Sequence, residues 1–251
     1  LTGLIELQLR ANNIGDEGAY YLVRSKNMAG LTRLTLTHNR ISDDSVYALA
    51  ETEYLAGLTR LRLTSNRIGS DGARALARSE HMSKLACLNL ADNHISDEGA
   101  RAIASSKYLT ELVRLNLRNN CIGDTGACVL AQSERLSGLM HLNLGWNDIH
   151  LKGARAIAQS RNLGGVARLN LTSNHIGDKG ARALARSGHL SGLTHLTLRY
   201  NSIGEAGAQA LAQSEHLSDL ALLDLSGNYL SLKGARALKD SPFLRRTAIR
   251  T

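Results

Sequence analysis

The stretch Leu193–Asp219, LTHLTLRYNSIGEAGAQALAQSEHLSD, decides the fold, because a shift of 27 residues returns the same pattern along most of the chain. The asparagine of L-x-x-L-x-L-x-x-N-x-I falls at Asn12, Asn39, Asn66, Asn93, Asn120, Asn147, Asn174, Asn201 and Asn228. Nine matches at one spacing, with no insertion or deletion, define an array of nine repeats. Leu193, Leu196 and Leu198 alternate with His195 and Thr197, the period of a strand with one face buried. Asn201 stands where a turn leaves backbone groups without partners, so the nine amides are expected to stack as a buried ladder. After Ile203 the period changes. Ala208, Leu211 and Ala212 fall at helical spacing, with Gln209 and Gln213 facing outward.

Most helical halves open on an acid: Asp16, Asp43, Asp97, Asp124, Asp178 and Glu205. The position suits a cap or first-turn carboxylate of that helix. Repeats three, six and nine carry Ser70, Leu151 and Leu232 there instead. A glycine follows at 18, 72, 99, 126, 153, 180, 207 and 234, read as close backbone packing, with Ser45 the exception. Parallel strands stack about 4.8 Å apart and helices are about 10 Å wide, so the helical side must be the longer arc. The expected architecture is an α/β solenoid, a curved horseshoe with a concave parallel sheet and convex helices. Residues 1–3 read as the end of a preceding repeat, 4–246 as nine repeats, and 247–251 as a degenerate end where RRTAIRT loses the leucine phase.

These motifs resemble the leucine-rich repeat superfamily, in its ribonuclease-inhibitor-like subclass, over nearly the whole chain. The letters GARALA and GAQALA are similar to bacterial repeats of the GALA type. That resemblance implies a protein-interaction scaffold and a bacterial source. GALA-type effectors pair their repeats with an F-box segment, which is not found in these 251 residues, and their unit is shorter than 27. Innate-immune receptors and Ran-type GTPase-activating proteins use similar repeats, but no catalytic residue carries over to a position here.

Composition agrees with a thin aliphatic core: 43% of residues are hydrophobic and only 4% aromatic. The formal net charge is +8 and the sequence pI about 9.7, which favours an acidic partner. Cys87, Cys121 and Cys128 show no framework spacing, which points to a reducing compartment. No apolar run reaches membrane-spanning length, and the expected location is the cytoplasm, or a host cytoplasm for a delivered effector.

The glycine-rich IGDEGA segments lack the endings of phosphate-binding loops. No Ser–His–acid arrangement can be assembled, so the chain reads as a non-enzyme without cofactor. His94 and His175 follow the ladder asparagine three repeats apart, and the spacing gives no metal cluster. On the helix side, Arg101 and Arg182 lie four residues after Asp97 and Asp178, a pairing distance. The repeats disagree at the outward strand positions. There Arg33, Arg60, Arg62, Arg114, His141, Arg168 and His195 follow one another, flanked by Arg118, Trp146, Arg199 and Tyr200. Arginine and large aromatics dominate interface hot spots. The expected role is recognition of an acidic protein on this strip. Nucleic acid or another polyanion is the second choice and a structural, self-assembling module the third.

Overall fold

The computed structural model describes residues 3–251. The chain divides into two compact units, one ending at Cys121 and the other running Ile122–Thr251. In the first, strands and helices alternate: β1 (Glu6–Gln8), α1 (Gly15–Val23), β2 (Arg33–Thr35), α2 (Asp43–Glu51), β3 (Arg60–Arg62), α3 (Ser70–Arg78), β4 (Cys87–Asn89), α4 (Ser96–Ala104) and β5 (Arg114–Asn116). The second holds α5 (Asp124–Gln132), β6 (His141–Asn143), α6 (Leu151–Gln159), β7 (Arg168–Asn170), α7 (Gly177–Ala185), β8 (His195–Thr197), α8 (Glu205–Ala212), β9 (Leu222–Asp224), α9 (Leu232–Lys239) and β10 (Ala248–Arg250). Within each unit the strands pair in parallel in chain order. Equivalent repeat positions face each other, as in Arg33↔Arg60 and Arg168↔His195. The ladder itself is three residues long, while the flanking leucines, such as Leu193 and Leu198, are fully buried beside it.

The C-terminal end departs from the expectation of a degenerate tail. Residues 248–250 form β10, which pairs in parallel with β9, Ile249 opposite Leu223. Those partners are 26 residues apart rather than 27, and at that offset Arg246, Ile249 and Thr251 stand where repeat nine has Leu220, Leu223 and Leu225, so the leucine pattern is absent from the letters.

The asparagine ladder is present. Asn39 Oδ1 accepts the N–H groups of Asn12 and Ile14, and Asn66 Oδ1 those of Asn39 and Ile41. The amide nitrogens donate to carbonyls of the same and the preceding repeat, as Asn174 Nδ2 does to Leu171 and Leu144, both at 3.0 Å. The two end rungs are the exceptions to burial: Asn228 is half-buried, and Asn12 is exposed, its side chain donating among the described residues to the Arg10 carbonyl.

A second ladder runs along the other end of the helices. Ser79, Ser106, Ser160, Ser214 and Ser241, all buried, donate their hydroxyls at 2.5 Å to the carbonyls of Ala50, Ala77, Ala131, Ala185 and Ala212 in the preceding repeat. Thr52 does the same to Val23. These bonds satisfy carbonyls that a helix end leaves without a partner. The hydroxyl also receives the N–H of the next 3-10 turn, as Ser106 does from Tyr108 and Leu109.

The acids stand in the first turn of their own helices, as the sequence reading places them, and they also bond across repeats. Asp178 Oδ1 accepts the N–H groups of Gly204 (2.7 Å) and Gly207 (2.8 Å), the start of the following helix. Asp124 does this for His150 and Gly153. Where the acid is supplied, the residue before the helix is extended, with φ near −100° at Gly69, His150 and Gly204. Where the preceding repeat lacks it, the turn changes hand. Ser96 (φ 57°) and Gly177 (φ 60°) are left-handed, and their N–H groups donate to the main-chain oxygens of Asn120 and Asn201. One carboxylate therefore selects between two turn geometries in the next repeat. The recurring glycine clears space for the same carboxylate: a Cβ on Gly153 would lie 2.8 Å from Asp124 Oδ1 and 2.7 Å from Ile149 Cγ2. Ser45 fits because its hydroxyl bonds Asp16 instead.

Burial of the Asp16 carboxyl opposes its charge, yet hydrogen bonds from Ser45 and from the N–H and hydroxyl of Ser42 outweigh it, and Asp16 is held below the ordinary aspartate range. A lowered folded value gives stability that is present above the unfolded pKa and lost as pH falls through the folded one. Asp16→Asn should therefore unfold more easily than wild type near neutrality, and the gap should narrow as pH drops below about 4. A gap in melting temperature that stays constant with acidification would contradict this.

Candidate functional site

The residue before each ladder asparagine is left-handed at every rung: Ala11, His38, Ser65, Asp92, Asn119, Trp146, Ser173, Tyr200 and Gly227 all have positive φ. The turn therefore belongs to the fold, and what varies is the side chain it presents. In the second unit that side chain is aromatic twice. Trp146 is 51% and Tyr200 52% exposed. The Trp146 N–H donates to the Thr172 carbonyl, which pins its backbone to the next rung. Tyr200 lies over the backbone of Gly227, where a Cβ would collide with the ring.

Beside these aromatics, His141, Arg168 and His195 stand in register on β6, β7 and β8, with Arg168 exposed between half-buried imidazoles. Arg199 follows β8, its guanidinium 5.5 Å from the Tyr200 ring centre and its Nε 4.0 Å from Asp224. Asp224 is buried, holds the Ser226 N–H and hydroxyl, and also lies 3.9 Å from Arg250. Its carboxylate offsets the cationic end of this row.

In the first unit, Arg33, Arg60 and Arg114 occupy the equivalent strand position, and Arg62 the outward position two residues after Arg60. Arg33 is paired with Glu6 at 2.7 Å, and Arg118 reaches Asp92 at 3.0 Å. Among the described residues, Arg60, Arg62, Arg114 and Arg168 have no carboxylate within ion-pair distance. The candidate cations thus split into neutralised members (Arg33, Arg118, Arg199) and uncompensated ones, a division the letters do not reveal. On the helix side, Arg101 lies 3.7 Å from Glu98.

The turn after the asparagine holds a cluster that linear spacing hides. Asp148 and His175 occupy the same position in adjacent repeats, and His150 lies two residues beyond Asp148. Asp148 Oδ1 is 3.7 Å from His150 Nδ1 and 3.6 Å from His175 Nε2, and the two imidazoles stack at 4.8 Å. Their main chains are held by repeat geometry: Asp148 and His175 donate to the carbonyls of Ile122 and Ile149, and His150 to Asp124. The spatial partners of His175 are Asp148 and His150. The 27-residue offset between Asp148 and His175 was the signal that could have shown it.

Repeated strand, asparagine turn and helix define a leucine-rich repeat solenoid. A family model described as leucine rich repeat matches residues 3–23, 31–50, 58–77, 81–104, 108–131, 139–158, 167–185 and 189–212, and the chain belongs to this family. It is similar in structure to an internalin from Listeria monocytogenes, at 27% identity and a TM-score of 0.63, covering 90% of this chain and 55% of that one. It is also similar to a leucine-rich repeat protein from Leptospira interrogans, at 19% identity and a TM-score of 0.55, over 90% of this chain and 62% of the other. The chain thus spans little more than half the length of either protein. No curated protein matches it. Leucine-rich repeat proteins generally act as protein-interaction scaffolds. Among the described residues no helix is long and apolar enough to cross a membrane.

Proposed function

We propose that this protein is a binding scaffold, not an enzyme, whose outward strand positions recognise an acidic protein surface. The observation that carries the reading is the row His141–Arg168–His195, in register beside the half-exposed Trp146 and Tyr200. Arg168 has no acid of its own to neutralise it, so a carboxylate arriving from outside gains a charge-assisted bond at little cost in broken contacts. The aromatic pair supplies apolar area at one end of each strand, and the cations supply orientation and encounter rate. Arg60, Arg62 and Arg114 give the first unit the same uncompensated charge. Membership of a family that works by protein interaction supports the class of partner, and the net charge of +8 supports its sign.

The test is capture from lysate with wild type, an Arg168→Glu variant and an Arg182→Glu control on the helix side. The expected result is that Arg168→Glu loses acidic protein partners that the control retains. Equal recovery by all three would overturn the strand-face reading. Recovery of nucleic acid, with binding that falls steeply with salt for every sequence, would replace it with polyanion binding.

A further inference from the structure

We propose that Asp148, His150 and His175 form a binding site for one borderline transition-metal dication of the zinc, cobalt or nickel type, a role distinct from the strand face. Each residue offers one ligand atom, and the three atoms all lie within 4.8 Å of one another. Tetrahedral coordination with metal–ligand bonds near 2.1 Å places ligand atoms about 3.4 Å apart. The carboxylate oxygen already stands at 3.7 and 3.6 Å from the two ring nitrogens. Closing the triangle takes rotation of three exposed side chains, with His150 Nδ1 leaving the Asp148 main-chain oxygen that it meets at 3.1 Å. Their backbones stay fixed by the bonds to Ile122, Asp124 and Ile149.

The donor set selects the ion. Two imidazoles with one carboxylate suit zinc, cobalt, nickel or copper, whereas magnesium and calcium prefer all-oxygen sets. Three protein ligands leave a fourth position facing solvent, which takes water or a side chain from a binding partner. The ion would also tie repeat six, which supplies Asp148 and His150, to repeat seven, which supplies His175.

The experiment titrates the full chain with cobalt(II), followed by its visible absorption, and with zinc(II) by calorimetry. Wild type should take up one equivalent. His150→Ala, His175→Ala and Asp148→Asn should each bind at least about tenfold more weakly, the scale on which perturbing a metal site is felt. His189→Ala, at an exposed histidine on the helix side, should bind as wild type does. Because wild-type protein gives its own readout, paramagnetic shifts from cobalt should fall on the imidazole signals of His150 and His175, whatever the variants do. No single-equivalent binding by wild type, unchanged affinity in the three ligand variants, or shifts centred on other histidines would each overturn the proposal.

Discussion

Asn120→Ala is expected to lose about 2–5 kcal/mol of stability, against less than about 0.5 kcal/mol for Gln132→Ala. Asn120 is fully buried, whereas Gln132 is exposed on its helix. The Asn120 amide accepts the Ile95 N–H at 3.2 Å and donates to the carbonyls of Leu90 at 2.8 Å and Arg118 at 3.0 Å. Alanine leaves these groups unsatisfied where water does not reach. One orphaned buried backbone group costs about 1–3 kcal/mol, and neighbouring losses add less than fully. The first rung offers an internal control. Asn12 is exposed and, among the described residues, its side chain bonds Arg10 alone, so Asn12→Ala should cost far less than Asn120→Ala. Urea midpoints for the three variants measure this. Equal midpoints for Asn120→Ala and Gln132→Ala would show that the ladder is not structural.

Much of the fold was legible because each repeat states the same pattern. The period, the strand and helix halves and the buried amides follow from letters that recur at one offset. What the letters hid lies between repeats. The serine ladder was visible as Ser79, Ser106, Ser133, Ser160, Ser187, Ser214 and Ser241 at 27-residue spacing, but a serine after a helix reads as a solvated end until its acceptor in the preceding repeat is located. The acids stand in the first turn of their own helices, as the letters suggest, but their bonds to the start of the following helix, as at Asp178, run across the repeats and are not visible along the chain. β10 escaped because its offset is one residue short and, of the counterparts of Leu220, Leu223 and Leu225, Ile249 alone is apolar. At the candidate site, the choice of outward residues was readable, but their neutralisation was not. Arg199 meets Asp224, which comes from the outward position of the next strand, and Arg118 meets Asp92 from the turn of the repeat before. The Asp148–His150–His175 cluster needed the same lattice view: a motif search runs along the chain, and this group runs across it.

Trp146→Ala is expected to weaken binding of an acidic protein partner by about 2 kcal/mol, roughly thirtyfold, if the strand face is the contact surface. The substitution is conservative for the backbone, since Ala11 already adopts the left-handed turn at the equivalent rung, with φ 56° beside 57° for Trp146. A loss of affinity would therefore report the indole rather than a refolded turn. Trp146 and Tyr200 stand two rungs apart, about 10 Å along the stacking direction, with Arg168 on the strand between them. A protein partner burying both rings around that guanidinium would draw its affinity from apolar contact, and salt would change the association rate more than the dissociation rate. Nucleic acid would behave differently, because each lost arginine would lower the salt slope and weaken all sequences alike. Tyr229→Ala removes an exposed aromatic outside the row and should leave affinity unchanged. Surface binding of the captured partner to Trp146→Ala, Tyr229→Ala and Arg168→Glu, at two salt concentrations, separates these outcomes. If Trp146→Ala and Tyr229→Ala bind equally well, the contact surface lies elsewhere on the protein.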